Sequence, residues 1–71
     1  MYTRAMLDRY AETIPDADQR GQFQARVDSI QFESTEVGEL CVAGAFAKAL
    51  DGSPVAHLAD DFRARFLEFI G

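Results

Sequence analysis

Cysteine and histidine are almost absent from this sequence, with Cys41 and His57 as the single examples. One cysteine excludes a disulfide within the chain. The two residues together are also too few for a structural zinc site, which takes about four such ligands. The apolar neighbours Leu40 and Val42 indicate that Cys41 is a small buried hydrophobe rather than a nucleophile. We therefore predict no metal site.

Basic residues and long apolar runs are also scarce. Seven basic residues face twelve acidic ones, which gives a net charge of −5. Because neutralisation of phosphates supplies most nucleic-acid affinity, direct binding of DNA or RNA is disfavoured. The longest apolar run, 40–47, is far shorter than the ~20 residues that span a bilayer, and the N-terminus has no apolar signal region. We expect no membrane association and a cytoplasmic protein.

The residue patterns that carry chemistry are missing as well. The sequence has no glycine-rich phosphate loop, no pair of histidines at helical spacing and no Ser/His/Asp set at a recognisable spacing. His57, Asp60 and Asp61 lie on the predicted solvent face of a helix, where nothing desolvates them. We interpret them as a charged surface, and we predict a protein that is not an enzyme and binds no cofactor.

What the sequence does have is a high apolar content, 48%, arranged at helical spacing in four segments. Asp16 and Gln19 form a capping box at the start of the second segment. Gly52 suits the end of the third helix, and Ser53-Pro54 suits the start of the fourth. The predicted helices span 3–13, 16–30, 36–50 and 54–70. The sequence thus predicts a single helical domain over 1–71, an all-α four-helix bundle.

The third segment is apolar on almost every side, which is typical of a helix at the centre of a fold. Gly44 is unfavourable inside a helix, so we expect a close helix contact there. Tyr2 and Tyr10 are expected at the edge of the core, with their hydroxyls reaching water. The predicted centre of the core consists of Leu40, Phe46, Leu50, Leu58, Phe62 and Phe66.

An α+β alternative stays open around 29–42. Apolar and polar residues alternate there, as they do in a half-buried strand. Residues 29–33 would then pair with residues 38–42 as a short hairpin. The alanine-rich segment that follows favours the helical interpretation.

Acidic residues occupy the interval between Arg26 and Lys48 without any basic residue among them. A run of this kind is usually a solvated face, but it also steers basic partners toward a surface. We predict a binding patch for a protein partner with a basic surface, formed by Asp28, Glu33, Glu36 and Glu39.

The tetrapeptide Val27-Asp28-Ser29-Ile30 resembles the Asp-Ser-Leu/Ile motif of acyl and peptidyl carrier proteins. The resemblance implies an acidic helical protein in which Ser29 begins a helix and carries a phosphopantetheine arm. The sequence departs from that family in lacking a glycine-containing loop before the Asp-Ser pair. A carrier protein modified on Ser29 is therefore the alternative function.

The leading prediction is a small adaptor, regulator or inhibitor that acts through a protein surface. A chain this short buries only ~60% of its unfolded surface. Because it lacks a disulfide and a zinc site, a second copy is one way to complete its core. We consider a homodimer with Leu67, beside the apolar face of the last helix, at its contact.

Overall fold

The computed structural model describes residues 1–66, and the side chain of Phe66 lies outside that description. Three short strands accompany four helices in this part of the chain, so the fold is α+β and the predicted all-α helical bundle is wrong. In chain order the elements are β1 (Tyr2–Thr3), α1 (Arg4–Ala11), α2 (Ala17–Asp28), β2 (Glu33–Thr35), β3 (Gly38–Cys41), α3 (Ala43–Leu50) and α4 (His57–Phe66).

The strands form one antiparallel sheet in the order β1-β3-β2. Tyr2 lies opposite Cys41 at one end of β3. At the other end, Glu33 lies opposite Leu40, and Thr35 lies opposite Gly38. Strands β2 and β3 form a hairpin close to the open α+β alternative, although β2 begins later than expected. The pairing of β1 with β3 was not anticipated.

Residues 36–42 explain why the third helix was predicted too long. They form a turn and strand β3, and α3 begins only at Ala43. Leu40 and Cys41 alternate across a strand, and Cys41 becomes buried opposite Tyr2. Val37 and Val42, which made the segment look apolar on every side, are exposed. The partner strand comes from the N-terminus, so a local pattern gave no sign of it.

The helix ends follow local capping, although α4 begins later than predicted. Thr3 caps α1 by accepting a hydrogen bond from the Met6 amide at 3.1 Å. Asp16 caps α2 by accepting from the Gln19 amide at 3.0 Å, as predicted. Helix α4 begins at His57 rather than at residue 54, because residues 53–56 form turns with i to i+3 hydrogen bonds. Gly52 has a positive φ of 77°, as its predicted place after α3 requires.

Five aromatic rings hold the core together, one from β1 and one from each helix. The Phe62 ring centroid lies 4.8 Å from that of Tyr2, 5.4 Å from that of Tyr10 and 5.1 Å from that of Phe46. Phe23 completes the set, at 5.2 Å from Tyr10 and 6.0 Å from Phe46. Most of these pairs are edge-to-face or tilted, the arrangements that aromatic quadrupoles favour.

The predicted core is confirmed at Phe46, Leu50, Leu58 and Phe62, which are buried. Leu40 is only partly buried, because it points to the opposite face of β3 from the buried Cys41. The predictions for the Phe66 side chain and for Leu67 lie outside the described part of the chain. Within residues 1–66, no helix has both the length and the apolar character needed to cross a bilayer.

Replacement of Phe62 by alanine should nearly unfold the protein. The ring is fully buried and contacts three others, so its loss should cost about 3–5 kcal/mol. That loss is comparable with the total free energy of unfolding of a marginally stable domain, which is about 5 kcal/mol. Urea unfolding followed by circular dichroism measures the effect. Val37→Ala, at a position 75% exposed, is the control and should change stability by less than about 0.5 kcal/mol. Equal midpoints for the two variants would contradict the aromatic core.

Candidate functional site

The hairpin of β2 and β3, residues 33–41, extends outward from the core. All three residues of β2 are exposed, as are Gly38 and Glu39 at the start of β3. Only the far end of β3 is buried, at Cys41. An element with so little buried surface adds little to the hydrophobic core, so its residues are available for contacts outside the chain.

The tip of the hairpin is ordered by its own hydrogen bonds. The Thr35 hydroxyl donates to the Gly38 carbonyl at 2.8 Å and accepts from the Val37 amide at 3.3 Å. Gly38 has a φ of +117°, a conformation that L side chains rarely adopt. Glu36 and Val37 form the turn itself, and Val37 is 75% exposed. The tip therefore presents an apolar side chain on a defined backbone.

Asp28 does not belong to this surface, although it was predicted in the same patch. The Arg4 guanidinium of α1 donates a hydrogen bond to Asp28 Oδ1 and also lies 3.9 Å from Asp8. The same guanidinium stacks over the Phe32 ring, 5.2 Å from its centroid. A basic side chain distant in sequence thus neutralises Asp28 and ties α1 to the segment before β2.

The other three predicted acids, Glu33, Glu36 and Glu39, all lie on the hairpin and are exposed. None of them forms an ion pair with a described residue. The register places Glu33 beside Leu40 on one face and Glu39 beside Ser34 on the other, with Glu36 at the tip. The structure therefore brings the three carboxylates to one projecting element but distributes them around it.

Ser29 lies at the end of a helix, not at the beginning of one as the carrier resemblance implies. It is the C-cap of α2, and its hydroxyl donates to the Arg26 carbonyl at 2.6 Å. The segment that follows leads into β2 rather than into an acidic helix. Ser29 is exposed, but its surroundings differ from those that the motif implies.

Asp61 is not the free surface acid that its helix position indicated. It accepts a 2.6 Å hydrogen bond from the Tyr10 hydroxyl and pairs with Arg65 at 3.1 Å. Tyr10 is buried, so its predicted contact with water is replaced by this carboxylate. His57 and Asp60 stay exposed, and Asp60 pairs with Arg63. This arrangement joins α1 to α4.

Burial raises the pKa of the Cys41 thiol, which disfavours the reactive thiolate. No group of three or more potential metal ligands occurs in the described range 1–66. These two observations leave the hairpin as the described element that has the clearest features of a recognition surface.

Comparisons of the chain with models of protein families, with curated proteins and with solved structures find no match. The geometry of the described residues is therefore what supports a functional proposal.

Tyr10→Phe should lower stability near neutral pH by about 0.5–1.5 kcal/mol, the net value of one hydrogen bond. Burial, reinforced by the Asp61 hydrogen bond and charge, raises the pKa of Tyr10 above its ordinary value. Above pH ~10 the unfolded chain therefore loses the tyrosine proton first, and stability falls as pH rises. Phenylalanine cannot titrate. The difference in unfolding free energy between wild type and variant should then narrow above pH ~10, and a constant difference in urea titrations would contradict this role.

Gly38→Ala should destabilise the protein by about 1–2 kcal/mol, because alanine is strained at a positive φ. Gly44→Ala is the matched control. Among the described residues, a Cβ at either glycine meets nothing within 4 Å, so residues 1–66 do not provide the close helix contact that was predicted at Gly44. In α3 the added methyl should stabilise by about 0.5–1 kcal/mol. Thermal melts of the two variants should shift in opposite directions, and shifts of the same sign would refute the assigned hairpin geometry.

Proposed function

We propose that this protein is a non-enzymatic protein-interaction module, an adaptor or regulator whose recognition element is the hairpin of residues 33–41. The partner carries an apolar depression bordered by basic residues. One observation carries the proposal: an ordered, projecting tip exposes Val37 beside Glu36, and none of the three carboxylates of the hairpin forms an ion pair with a described residue.

The two chemical features of the tip have separate roles. Carboxylates attract a basic surface from a distance and raise the rate of encounter. Val37 supplies apolar area that is removed from water on contact. An apolar centre surrounded by polar groups is also the usual arrangement of a protein interface.

The order of the turn supports binding as well. Thr35 fixes the loop through two hydrogen bonds, and Gly38 accepts a backbone conformation that other residues resist. A loop already held in one conformation loses less entropy when it binds. The sequence therefore places residues suited to a tight turn on either side of the exposed valine.

The carrier alternative has less support, because Ser29 ends α2 and its hydroxyl is bound to the chain's own backbone. An enzyme is not proposed either. The described residues near Asp61 form structural contacts, and burial disfavours the Cys41 thiolate.

Neutralising the hairpin should weaken capture of the partner. Wild type, Glu36→Gln/Glu39→Gln and a control, Glu12→Gln/Asp51→Asn, are immobilised and exposed to extract from the cells that naturally produce the protein. The two variants remove the same charge from exposed positions. A protein retained by wild type and control should be lost from the hairpin variant. That protein is then purified. Its association rate with the hairpin variant at low salt should be about tenfold or more below its rate with wild type, and should depend much less on salt.

Single substitutions then identify the binding face. Glu33 and Glu39 point to opposite sides of the hairpin, so Glu33→Gln and Glu39→Gln should differ in their effect on that rate. Circular dichroism establishes that every variant is folded. If the hairpin variant and the control retain the same proteins at the same rates, the hairpin is not the recognition element.

A further inference from the structure

An open groove of about 530 Å³ lies between the end of α2 and one side of α3. This volume is within the range of ligand and peptide pockets. Its apolar floor consists of Ile30, which is buried, and of Ala45 and Ala49, which are partly buried. Ser29, Gln31 and Lys48 complete the lining. The small alanine side chains leave the space that makes this surface concave.

Lys48 gives the groove a positive border. It is the only lysine or arginine between Arg26 and Arg63. Its side chain is exposed, and it forms no ion pair within the part of the chain that the structure describes. An apolar depression with one unpaired cation at its border is complementary to an apolar side chain flanked by carboxylates.

The hairpin tip has that chemistry, because Val37 can contact the apolar floor while Glu36 beside it pairs with Lys48. We infer that the hairpin of one copy docks in the Lys48 groove of a second copy. This inference rests on the proposed function, since it names a second copy as a partner of the same hairpin.

A reciprocal, twofold arrangement fits the chain best. Gln31 lines the groove and Glu33 begins β2, so the groove and the base of the hairpin are neighbours along the chain. Each copy therefore offers a groove and a hairpin whose base adjoins it, and two such pairs close into a dimer with both sites filled. A single head-to-tail contact would instead leave one tip and one groove unfilled and would continue into a chain.

Charge reversal tests the contact. Lys48→Glu and Glu36→Lys should each weaken self-association of the full chain about tenfold or more in sedimentation equilibrium. The double variant Glu36→Lys/Lys48→Glu should recover it. Glu36→Lys reduces the net negative charge of the protein, so general repulsion alone would make this variant associate more strongly. Weaker association therefore requires a specific contact.

Mixing the two single variants gives a stronger test. In the mixed twofold dimer, the unchanged Glu36 of the Lys48→Glu chain meets the unchanged Lys48 of the Glu36→Lys chain. At the second site the two substituted residues meet, and their reversed charges also attract. The equimolar mixture should dimerise more strongly than either variant alone. Glu12→Lys is the control for an added lysine outside the hairpin, and it should not dimerise more strongly when mixed with Lys48→Glu.

The outcomes separate this inference from the proposed function. A wild-type chain that stays at 7.9 kDa up to millimolar concentration, or a mixture that stays monomeric, overturns the second copy as partner. Loss of captured proteins from the Glu36→Gln/Glu39→Gln variant would still support the hairpin as a recognition element for another protein. If that variant captures the same proteins as wild type while the charge-reversed mixture dimerises, the hairpin serves self-association alone.

Discussion

The mutual packing of five aromatic rings is the interaction on which the rest of this structure depends. Tyr2, Tyr10, Phe23, Phe46 and Phe62 come from β1 and from every described helix, and each ring contacts at least two of the others. A chain of 71 residues without a disulfide has few other ways to join so many short elements. Because the rings are large and rigid, a few of them exclude water from the whole centre. They also stabilise β1, a strand of only two residues, because the buried Tyr2 ring packs against Phe46 and Phe62.

This concentration of apolar surface at one place leaves the opposite end of the sheet free. The hairpin contributes only Cys41 to the core, and its tip is held by hydrogen bonds of Thr35 instead of by packing. The protein is thus divided physically into an interior that sets the fold and a projecting tip that contributes little to that interior. The proposed recognition role is consistent with this division, because the tip holds an exposed valine on an ordered turn without contributing to the core.

Charge is redistributed by tertiary contacts in a way that changes the meaning of the acidic interval. In sequence, Asp28 and the glutamates of the hairpin form one run without basic residues. In space, Arg4 reaches Asp28 from α1, and Asp61 accepts from Tyr10 of α1 while pairing with Arg65. The carboxylates that remain unpaired among the described residues of the interval are those of the hairpin. Lys48 lies in α3, after the hairpin in sequence, and it is the cation that borders the groove.

The sequence by itself determined the features that depend on neighbouring residues. These local features include the helix caps at Asp16 and Gly52 and the helical spacing of apolar residues in α1, α2 and α4. They also include the burial of Phe46 and Phe62 and the acidic character of residues 33–39. Only the tertiary structure decided the sheet. Helix and strand compete closely over 36–42, and the choice is made by Tyr2, more than thirty residues away, which gains burial only when β3 pairs with β1. The same is true of the candidate site. Its acidic residues could be identified from the sequence alone. Their separation onto two faces and a tip follows from the strand register, which no local pattern contains.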